Sequence, residues 1–592
     1  MKYLNKNSSE IIFDIEANGL TPDKVWCIVA KKVNGDIYKF SEDTLLDGVK
    51  YLMSAEVLIG HNIIGYDIPV LEKIFKVEFK NKIKDTLVMS RLFNPVREGH
   101  GLEPWGKRLN KHKQQKPISF DFYDSAMLDY CTQDVIVNEA VYNYLLKEGK
   151  DFSEESIALE HSVAKSIQRQ EETGFFFDAR KATELMAYLK EKQYLTETKV
   201  QETFKPRITK TLLIPTRTAE GVLSRLAIRD DPLDIYNGAK ARLTEEEYQT
   251  MLKGKEVYRT KIEEFNLGSR KQIGEYLIDF GWKPKEFTPK GQPIVDENVL
   301  KNIKNIPEAT MIADYLLYQK RIAQVSSWLE ELDNDRVHGK VISNGTITSR
   351  MVHYSPNMAQ VPNVGSRYGK ECRSCWTVPE GYKLVGIDAS SLELRMLCHY
   401  MGDKDYTKEV ISGDIHTRNQ HLAGLENRMQ SKVFVYAFLY GAGDAKIGSI
   451  VGGGTAKGKE LKNTFLKNLP SLKSLRDRVQ TAAKRGYLKG LDGRRIFVRS
   501  PHSALNSLLQ GGGSIVMKKS LQLLQEKIDL NRLDAKFVAN IHDEWQIQVK
   551  ESQAECVGVI GVESIEEASK YFKIRCPLTG EYKIGNTWYE TH

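Results

Sequence analysis

The feature that most limits what this chain can fold into is a pair of apolar strands, each running directly into an aspartate. LVGIDASSLELRMLCHYMGD reads as a strand that reaches Asp388 and then breaks into a helix. In VANIHDEWQIQVK, Trp545, Ile547 and Val549 alternate with Gln546, Gln548 and Lys550, the period-two pattern of a half-buried strand. An apolar run precedes it, and His542, Asp543 and Glu544 fill the turn between. Acids are common in solvated turns, so this turn alone decides nothing. If Asp388 and Asp543 face one another, however, they can hold two magnesium ions across a triphosphate, with Glu544 in support.

ENRMQSKVFVYAFLYGAG lies between these acids. Arg428, Lys432, Tyr436 and Tyr440 recur every fourth residue, and each such step on a helix advances by about 400°, so they drift slowly along one stripe. Two cations followed by two rings suit a nucleoside triphosphate. Arg428 and Lys432 would hold phosphates, and a tyrosine ring would lie against the base or sugar. Any one of these residues fits an ordinary exposed helix face. The full stripe between two acids favours the nucleotide.

The amino-terminal end carries a second set of acids. Asp14 and Glu16 are two apart on the strand EIIFDIEANGL and leave the same face. Asp67 follows GHNIIGY near a helix start, where exposed amides favour an anion. Tyr130 and Asp134 share a face of the helix expected over SAMLDYCTQDVIVNEAVYNYLLKEG. Carboxylates converging with no compensating cluster of Lys or Arg would repel strongly unless divalent cations lie among them. Oxygen-rich sites of this kind suit Mg2+ or Mn2+. Paired ions can activate water and stabilise the leaving oxygen in phosphodiester hydrolysis.

With 592 residues the chain has room for roughly three to five domains. A hydrophobic share of 41% and a charged share of 28% are those of an ordinary globular protein, and a net charge of +8 fits a polyanion partner without requiring one. Seven cysteines in so long a chain make no disulfide framework. Cys372 and Cys375 form a CxxC without a second pair or nearby histidines, which argues against zinc and for free thiols in a reducing cytosol. The start has no long apolar core, and no run approaches the roughly 20 apolar residues of a membrane span. A cytoplasmic protein with no membrane partner is expected.

The first 150 residues read as an α/β unit, with two strands around Asn34-Gly35, a dipeptide that favours hairpins. A Glu- and Lys-rich helical region follows from about Ser153 to Thr203, and its charged faces are expected in solvent. The pattern weakens between about Phe204 and Phe265, as in a small inserted element, and helices resume at GSRKQIGEYLIDFGW. Beyond Gly381, acid-bearing strands alternate with long helices.

DASSLELR, RMQSKVFVYAFLYG and HDE stand in the order of motifs A, B and C, and together they resemble family A, the DNA polymerase I class of DNA polymerases. The order DxE, D, YxxxD resembles the DnaQ-like 3′–5′ exonuclease domain of proofreading polymerases. NGTITSRMVHYSPNMAQVP, GDIHTRNQ, LDGRRIFVRSPHSALNSLLQ and GNTWYETH are similar to the replicative polymerases of short-tailed bacteriophages. The resemblance implies an α/β multidomain chain, with an RNase H-like (DnaQ-like) exonuclease domain at 1–150 followed by a right hand. Its thumb spans 151–335, with the inserted element at about 204–265. The palm lies at 336–410 (motif A), the fingers at 411–495 (motif B), and further palm with the carboxyl terminus at 496–592 (motif C). The separate 5′ nuclease domain of the long bacterial enzyme has no room here.

By the same resemblance, Asp14, Glu16, Asp67 and Asp134 hold two Mg2+ ions at the exonuclease site, with Mn2+ as a substitute, and Tyr130 orients the attacking water. Asp388, Asp543 and the Ala389 carbonyl hold two more at the polymerase site. Arg428, Lys432 and His416 contact the incoming dNTP. Glu393 sits beneath the sugar and excludes a 2′ hydroxyl, partly through a bond to Tyr440. Tyr436 stands where tyrosine tolerates a missing 3′ hydroxyl, which implies efficient dideoxynucleotide incorporation. Arg350, Asn506 and Gln510 probe the minor groove of the nascent duplex, whose acceptors are alike for all correct pairs. An ordinary polar role for His416, and a capping or solvating role for Asn506 and Gln510, are the plain alternatives. Gly511 to Gly513 would permit either a close backbone approach to DNA or a flexible interruption of the helix.

Primer-template DNA and dNTPs are the implied ligands, the bacterial host cytoplasm the implied compartment, and a helicase-primase an implied partner. The 204–265 insertion stands where phage relatives recruit host thioredoxin as a processivity factor, but its residues do not convincingly match. Thioredoxin, another clamp, and direct contact with DNA through its Lys and Arg residues stay open. Three other readings compete with this one. A single-subunit RNA polymerase is opposed by Glu393, the HDE turn and the exonuclease acids. A nuclease whose carboxyl half only binds DNA is opposed by the complete motifs. A bacterial or organellar repair polymerase is the nearest alternative.

Overall fold

Alternation along EIIFDIEA decides how the amino-terminal sheet is built. On the strand Glu10–Ala17, Ile11, Phe13 and Ile15 enter a core with Val49, Leu52 and Leu71, while Ile12 enters a second core with Val29, Ile59, Cys131 and Val135. Asp14 and Glu16 therefore continue the Ile12 face, toward the helix Ser125–Glu148. The five strands lie in the order Ile37–Ser41, Val25–Lys32, Glu10–Ala17, Val57–Gly60, Lys82–Asp85. The first three pair antiparallel and the last three parallel. Asn34 turns the hairpin with φ 56°.

This computed structural model describes residues 9–117 and 119–592, and it divides into two units, residues 1–179 with 330–592, and residues 180–329. The stretch 1–8, which bears on the expected lack of a leader, lies outside the described residues. Among the described residues no helix is long and apolar enough to cross a membrane.

The helical region expected to run from Ser153 to Thr203 is broken in the middle. A helix spans Glu154–Thr173, Gly174 takes φ 63°, and Phe175–Phe177 forms a short strand before the helix Ala179–Thr203. Nor is its charge all in solvent. Glu160 is fully buried and accepts from Arg494 and, at 2.5 Å, from Lys518 Nζ, while Arg494 also donates to Asp492 at 2.6 Å. Four charged groups thus neutralise one another in the core, which is what makes their burial tolerable.

In the second unit, the weakly periodic stretch folds as an antiparallel sheet in the order Tyr258–Glu263, Arg207–Arg217, Leu223–Arg229, Lys240–Arg242. Its small core is Leu213, Ala227, Leu243, Met251 and Val257. So few buried positions explain why no strong pattern shows in the sequence. A separate core joins Val200, Phe204 and Phe265 to Ile273, Leu277 and Ile312.

The carboxyl-terminal sheet orders Ala535–Ile541, Glu544–Lys550, Tyr382–Ala389 and Gly580–Gly585, all antiparallel. Val385, Ile387, Trp545, Ile547 and Val549 enter the main core. The Gln546 and Gln548 face, expected in water, is buried as well. Thr591 donates to Gln546 at 2.7 Å and Arg336 to Gln548 at 2.9 Å, so the polar side is covered and satisfied. The glycine triple neither breaks its helix nor lies open. The helix runs unbroken over Ala504–Leu530, and all three glycines are buried. A Cβ on Gly511 would lie 2.5 Å from Ile496, and one on Gly512 2.7 Å from both Met396 and Tyr400. Close side-chain packing is what these positions require.

Candidate active site

The amino-terminal acids come together from three separate elements. Asp14 and Glu16 leave one face of the central strand, where the Glu16/Ala17 bulge ends the regular pairing. Asp67 opens the helix Asp67–Phe75 and accepts from the backbone N–H of Ile15 at 3.2 Å. Tyr130 and Asp134 face the strand from the helix Ser125–Glu148. Burial, then repulsion from Asp67, Glu16 and Asp134, pushes the Asp14 carboxyl well up. Burial, then Asp134 and Asp67, carries Glu16 to about 8. Burial takes Asp67 to about 7 against two backbone N–H groups that favour its charge.

Two members of this cluster were not singled out in the sequence. Cys131 donates to the Asp14 backbone oxygen at 3.4 Å, and its sulfur lies with the Asp14 and Glu16 oxygens inside a 4.8 Å circle. Only its place beside Tyr130 hinted at this. The second is Lys113, whose Nζ lies 2.6 Å from Asp134 Oδ2 and 4.7 Å from the centre of the Tyr130 ring. The expectation of acids without a compensating cation is corrected here, because the aperiodic run LNKHKQQK supplies one. Burial opposes the Lys113 charge, but Asp134 and Tyr130 outweigh it and hold the ammonium above its ordinary range. Asp85, also missed, accepts from the N–H groups of Asn62 at 3.0 Å and Ile64 at 3.1 Å, and so fixes the loop leading to Asp67.

The carboxyl-terminal acids are placed by strand register. Asp388 pairs with Glu544, and the Ala389 N–H donates to the Asp543 carbonyl at 3.1 Å. Asp388 and Asp543 therefore lie at one end of adjacent strands, where His542 turns the chain with φ 58°. Withdrawal from water, then repulsion from Asp543 and Glu544, lifts Asp388 to about 7. Burial raises Asp543 too, against its own backbone N–H and Arg350. Glu544 turns elsewhere. It is buried and accepts from Trp588 Nε1 at 2.6 Å and Gln546 at 2.7 Å, with His592 Nδ1 at 3.0 Å. Burial would raise it, but His592 and Arg373 more than offset that.

The helix Arg428–Leu439 carries most of the stripe, and Tyr440 closes it. Tyr440 donates to Glu393 at 2.6 Å, and Arg350 donates to the other Glu393 oxygen at 3.1 Å. Tyr436 stacks obliquely on Tyr440 with ring centres 6.2 Å apart. Burial raises the Tyr436 phenol, followed by Glu393 and Asp543, so that ring stands near both. Arg428 is bonded to Asp414 at 2.9 Å, and Asp414 also caps the helix Ile415–Ala423 that carries His416. Burial, then Arg428 and Lys432, lowers His416. These three residues form one patch, whose charge is carried by Arg428 and Lys432. Asn506 and Gln510 leave the same side of the helix Ala504–Leu530, both partly exposed.

Both donor sets fit hard divalent cations. Each holds carboxylates whose ordinary acidity is suppressed by burial and by one another, and a cation relieves that repulsion. The amino-terminal set adds one thiol, which leaves oxygen dominant.

Residues 239–590 match the DNA polymerase family A domain. The chain is 32% identical to the DNA-directed DNA polymerase of Enterobacteria phage T3 across 98% of this chain and 100% of that one, and the same figures hold for the enzyme of Escherichia phage T7. In fold it is similar to the POL domain of Pol1 from M. smegmatis, solved with DNA primer-template and dNTP. That likeness has a TM-score of 0.78 at 16% identity and covers 100% of this chain and 97% of the other.

Proposed function

Because the chain belongs to DNA polymerase family A, we propose that its two acid clusters divide the work of a proofreading replicative polymerase, with Asp388 and Asp543 serving primer extension and Asp14, Glu16, Asp67 and Asp134 serving 3′–5′ excision. The chain is a template-directed DNA polymerase related to phage replicative enzymes, and such an enzyme uses primer-template DNA, dNTPs and divalent metal. The observation that carries the finer reading is the register that sets Asp388 and Asp543 at one end of adjacent strands, with Arg350, bonded to Glu393, near enough to favour the Asp543 charge.

Asp388, Asp543 and the Ala389 carbonyl would hold two Mg2+ ions, which when bound supply Lewis acidity and neutralise triphosphate charge. Arg428, Lys432 and His416 bind the phosphates, for which Arg428 exchanges Asp414. Tyr436 and Tyr440 lie against the sugar and base. Glu393, fixed by Tyr440 and Arg350, closes the space a 2′ hydroxyl would need. Asn506 and Gln510, with Arg350, read the minor groove. In the RNase H-like amino-terminal domain, Tyr130 orients the attacking water and the four acids hold the second pair of ions. On the right-hand plan, palm and fingers lie within 336–592 and the thumb at 151–335, of which residues 180–329 form a unit of their own.

Primer extension with dNTPs, NTPs or no nucleotide tests this directly. Extension with dNTPs alone that Asp543→Ala abolishes, and shortening without nucleotide that Asp14→Ala abolishes, are the expected results. A wild type that shortens primers but never extends them would overturn the reading of the carboxyl half.

A further inference from the structure

We propose that Lys113 is a further catalytic residue of excision, which exchanges Asp134 for a non-bridging oxygen of the scissile phosphate at the mouth of a basic cavity lined by Lys107, His112, Lys116 and Tyr130. The inference rests on the exonuclease reading of the neighbouring acids. The cavity measures about 340 Å³, within the size range of small-ligand sites. Among the described residues Glu103 is the one acid in its lining, against three lysines and a histidine.

Lys113 joins this cavity to the acids. Its side chain is 20% exposed while that of Asp134 is 6% exposed, so the ammonium marks the boundary between the open cleft and the carboxylates. The segment that carries it is tied down at two points. Lys111 N–H donates to the Gly106 carbonyl at 2.8 Å, and Gln133 Nε2 donates to the His112 carbonyl at 2.7 Å. The second tie comes from the same helix as Tyr130 and Asp134, so Lys113 is held in register with them. Lys107 bonds Glu103 at 2.8 Å, but both are two-thirds exposed, and such a pair yields readily to a phosphate. Lys116 and His112 make no ion pair among the described residues.

Charge balance gives Lys113 its purpose. Four carboxylates and one phosphodiester set against two divalent ions leave a single negative charge, and one fixed ammonium cancels it. In the cleavage, a water oxygen bonds to phosphorus as the bond from phosphorus to the 3′ oxygen breaks. One water proton ends on that 3′ oxygen, and the phosphate leaves on the mononucleotide. Lys113 holds a non-bridging oxygen through this change, where a preorganised donor counts most.

The test compares wild type, Lys113→Ala, Lys113→Arg, a Lys107→Ala/Lys116→Ala double variant and Asp14→Ala. Each is assayed for shortening of a single-stranded oligonucleotide with Mg2+, and for binding of deoxyadenosine 5′-monophosphate in EDTA by equilibrium dialysis. Lys113→Ala should lower the rate at saturating strand by about 100-fold, with Lys113→Arg restoring part of it. The double variant should raise KM several-fold with kcat nearly unchanged, and both alanine variants should bind the mononucleotide more weakly. If Lys113→Ala melts early, Lys113→Arg and the double variant decide. Should the lysine variants cut and bind like wild type while Asp14→Ala is inactive, Lys113 has no such role. Should Asp14→Ala cut like wild type, the exonuclease reading and this inference fall together.

Discussion

Glu160→Gln is expected to destabilise the chain at neutral pH and to do so by about 1.4 kcal/mol less at pH 9. Burial holds the Lys518 ammonium down to about 8 from an ordinary 10.5, so carrying that charge in the folded state costs roughly 3 kcal/mol. The unfolded chain keeps the proton up to 10.5, whereas the folded chain releases it near 8. The cost is therefore complete below about pH 8, and stability rises with pH from there to 10.5. Glu160→Gln removes the carboxylate shared by Arg494 and Lys518. Arg494 keeps Asp492 at 2.6 and 2.8 Å and cannot shed its proton. Lys518 can. Neutralising it at pH 7 costs about 1.4 kcal/mol, well under the 3–5 kcal/mol of a buried charge left unpaired. Adding about 2 kcal/mol for the charged hydrogen bond lost to Arg494 gives roughly 3 kcal/mol at pH 7. Only the hydrogen-bond part survives at pH 9. Thermal unfolding of wild type and variant at both pH values reads the difference, and Arg494→Met provides the contrast. It leaves two buried carboxylates facing one lysine, so its larger penalty should not shrink at pH 9. A Glu160→Gln penalty that is equal or greater at pH 9 would refute the reasoning.

The acids at both sites give a second pH dependence in a lower window. Glu16 at about 8 and Asp67 and Asp388 at about 7 hold protons that the unfolded chain, with its carboxyls at about 4, has already released, so the metal-free fold loses stability as pH rises from about 4, and the loss is complete by about 7 to 8. In EDTA the melting temperature should fall between pH 6 and 8.5, and millimolar Mg2+ should restore it at the upper end. Removing the Glu393 carboxylate frees Tyr440 and Arg350, so Glu393→Ala should raise the NTP/dNTP ratio of kcat/KM by about tenfold or more in single-turnover extension. Gly512→Ala meets Met396 and Tyr400 at 2.7 Å and should cost about 1–3 kcal/mol, whereas Gly513→Ala meets Leu392 at 3.2 Å and should melt close to wild type.

What the sequence made legible follows from how each residue is held. Asp14, Glu16, Asp388 and Asp543 could be found because each ends or rides on a strand whose period-two pattern is local, and a face is fixed by counting. The stripe from Arg428 to Tyr440 was legible for the same reason at helical period. Strand register was not, since the pairing of Asp388 with Glu544 depends on chain segments far apart, and no local pattern records it. Gln546 and Gln548 looked solvent-facing because their cover, Thr591 and Arg336, comes from elsewhere in the chain. The glycine triple read as either a close approach to DNA or an interruption because propensity counts only the helix itself, while Ile496 and Met396 stand where a Cβ on Gly511 or Gly512 would go. Glu160 and Lys113 share the deepest reason. A charge announces itself in a sequence, but whether it is solvated or buried depends on a counter-charge, and Arg494 stands 334 positions from Glu160. Lys113 sits in a run without periodicity, so nothing local aims it at Asp134. Isolated charges therefore read as surface by default, and the ones that contradict this are those whose partners folding alone brings near, in the core around Arg494 and beside the amino-terminal acids.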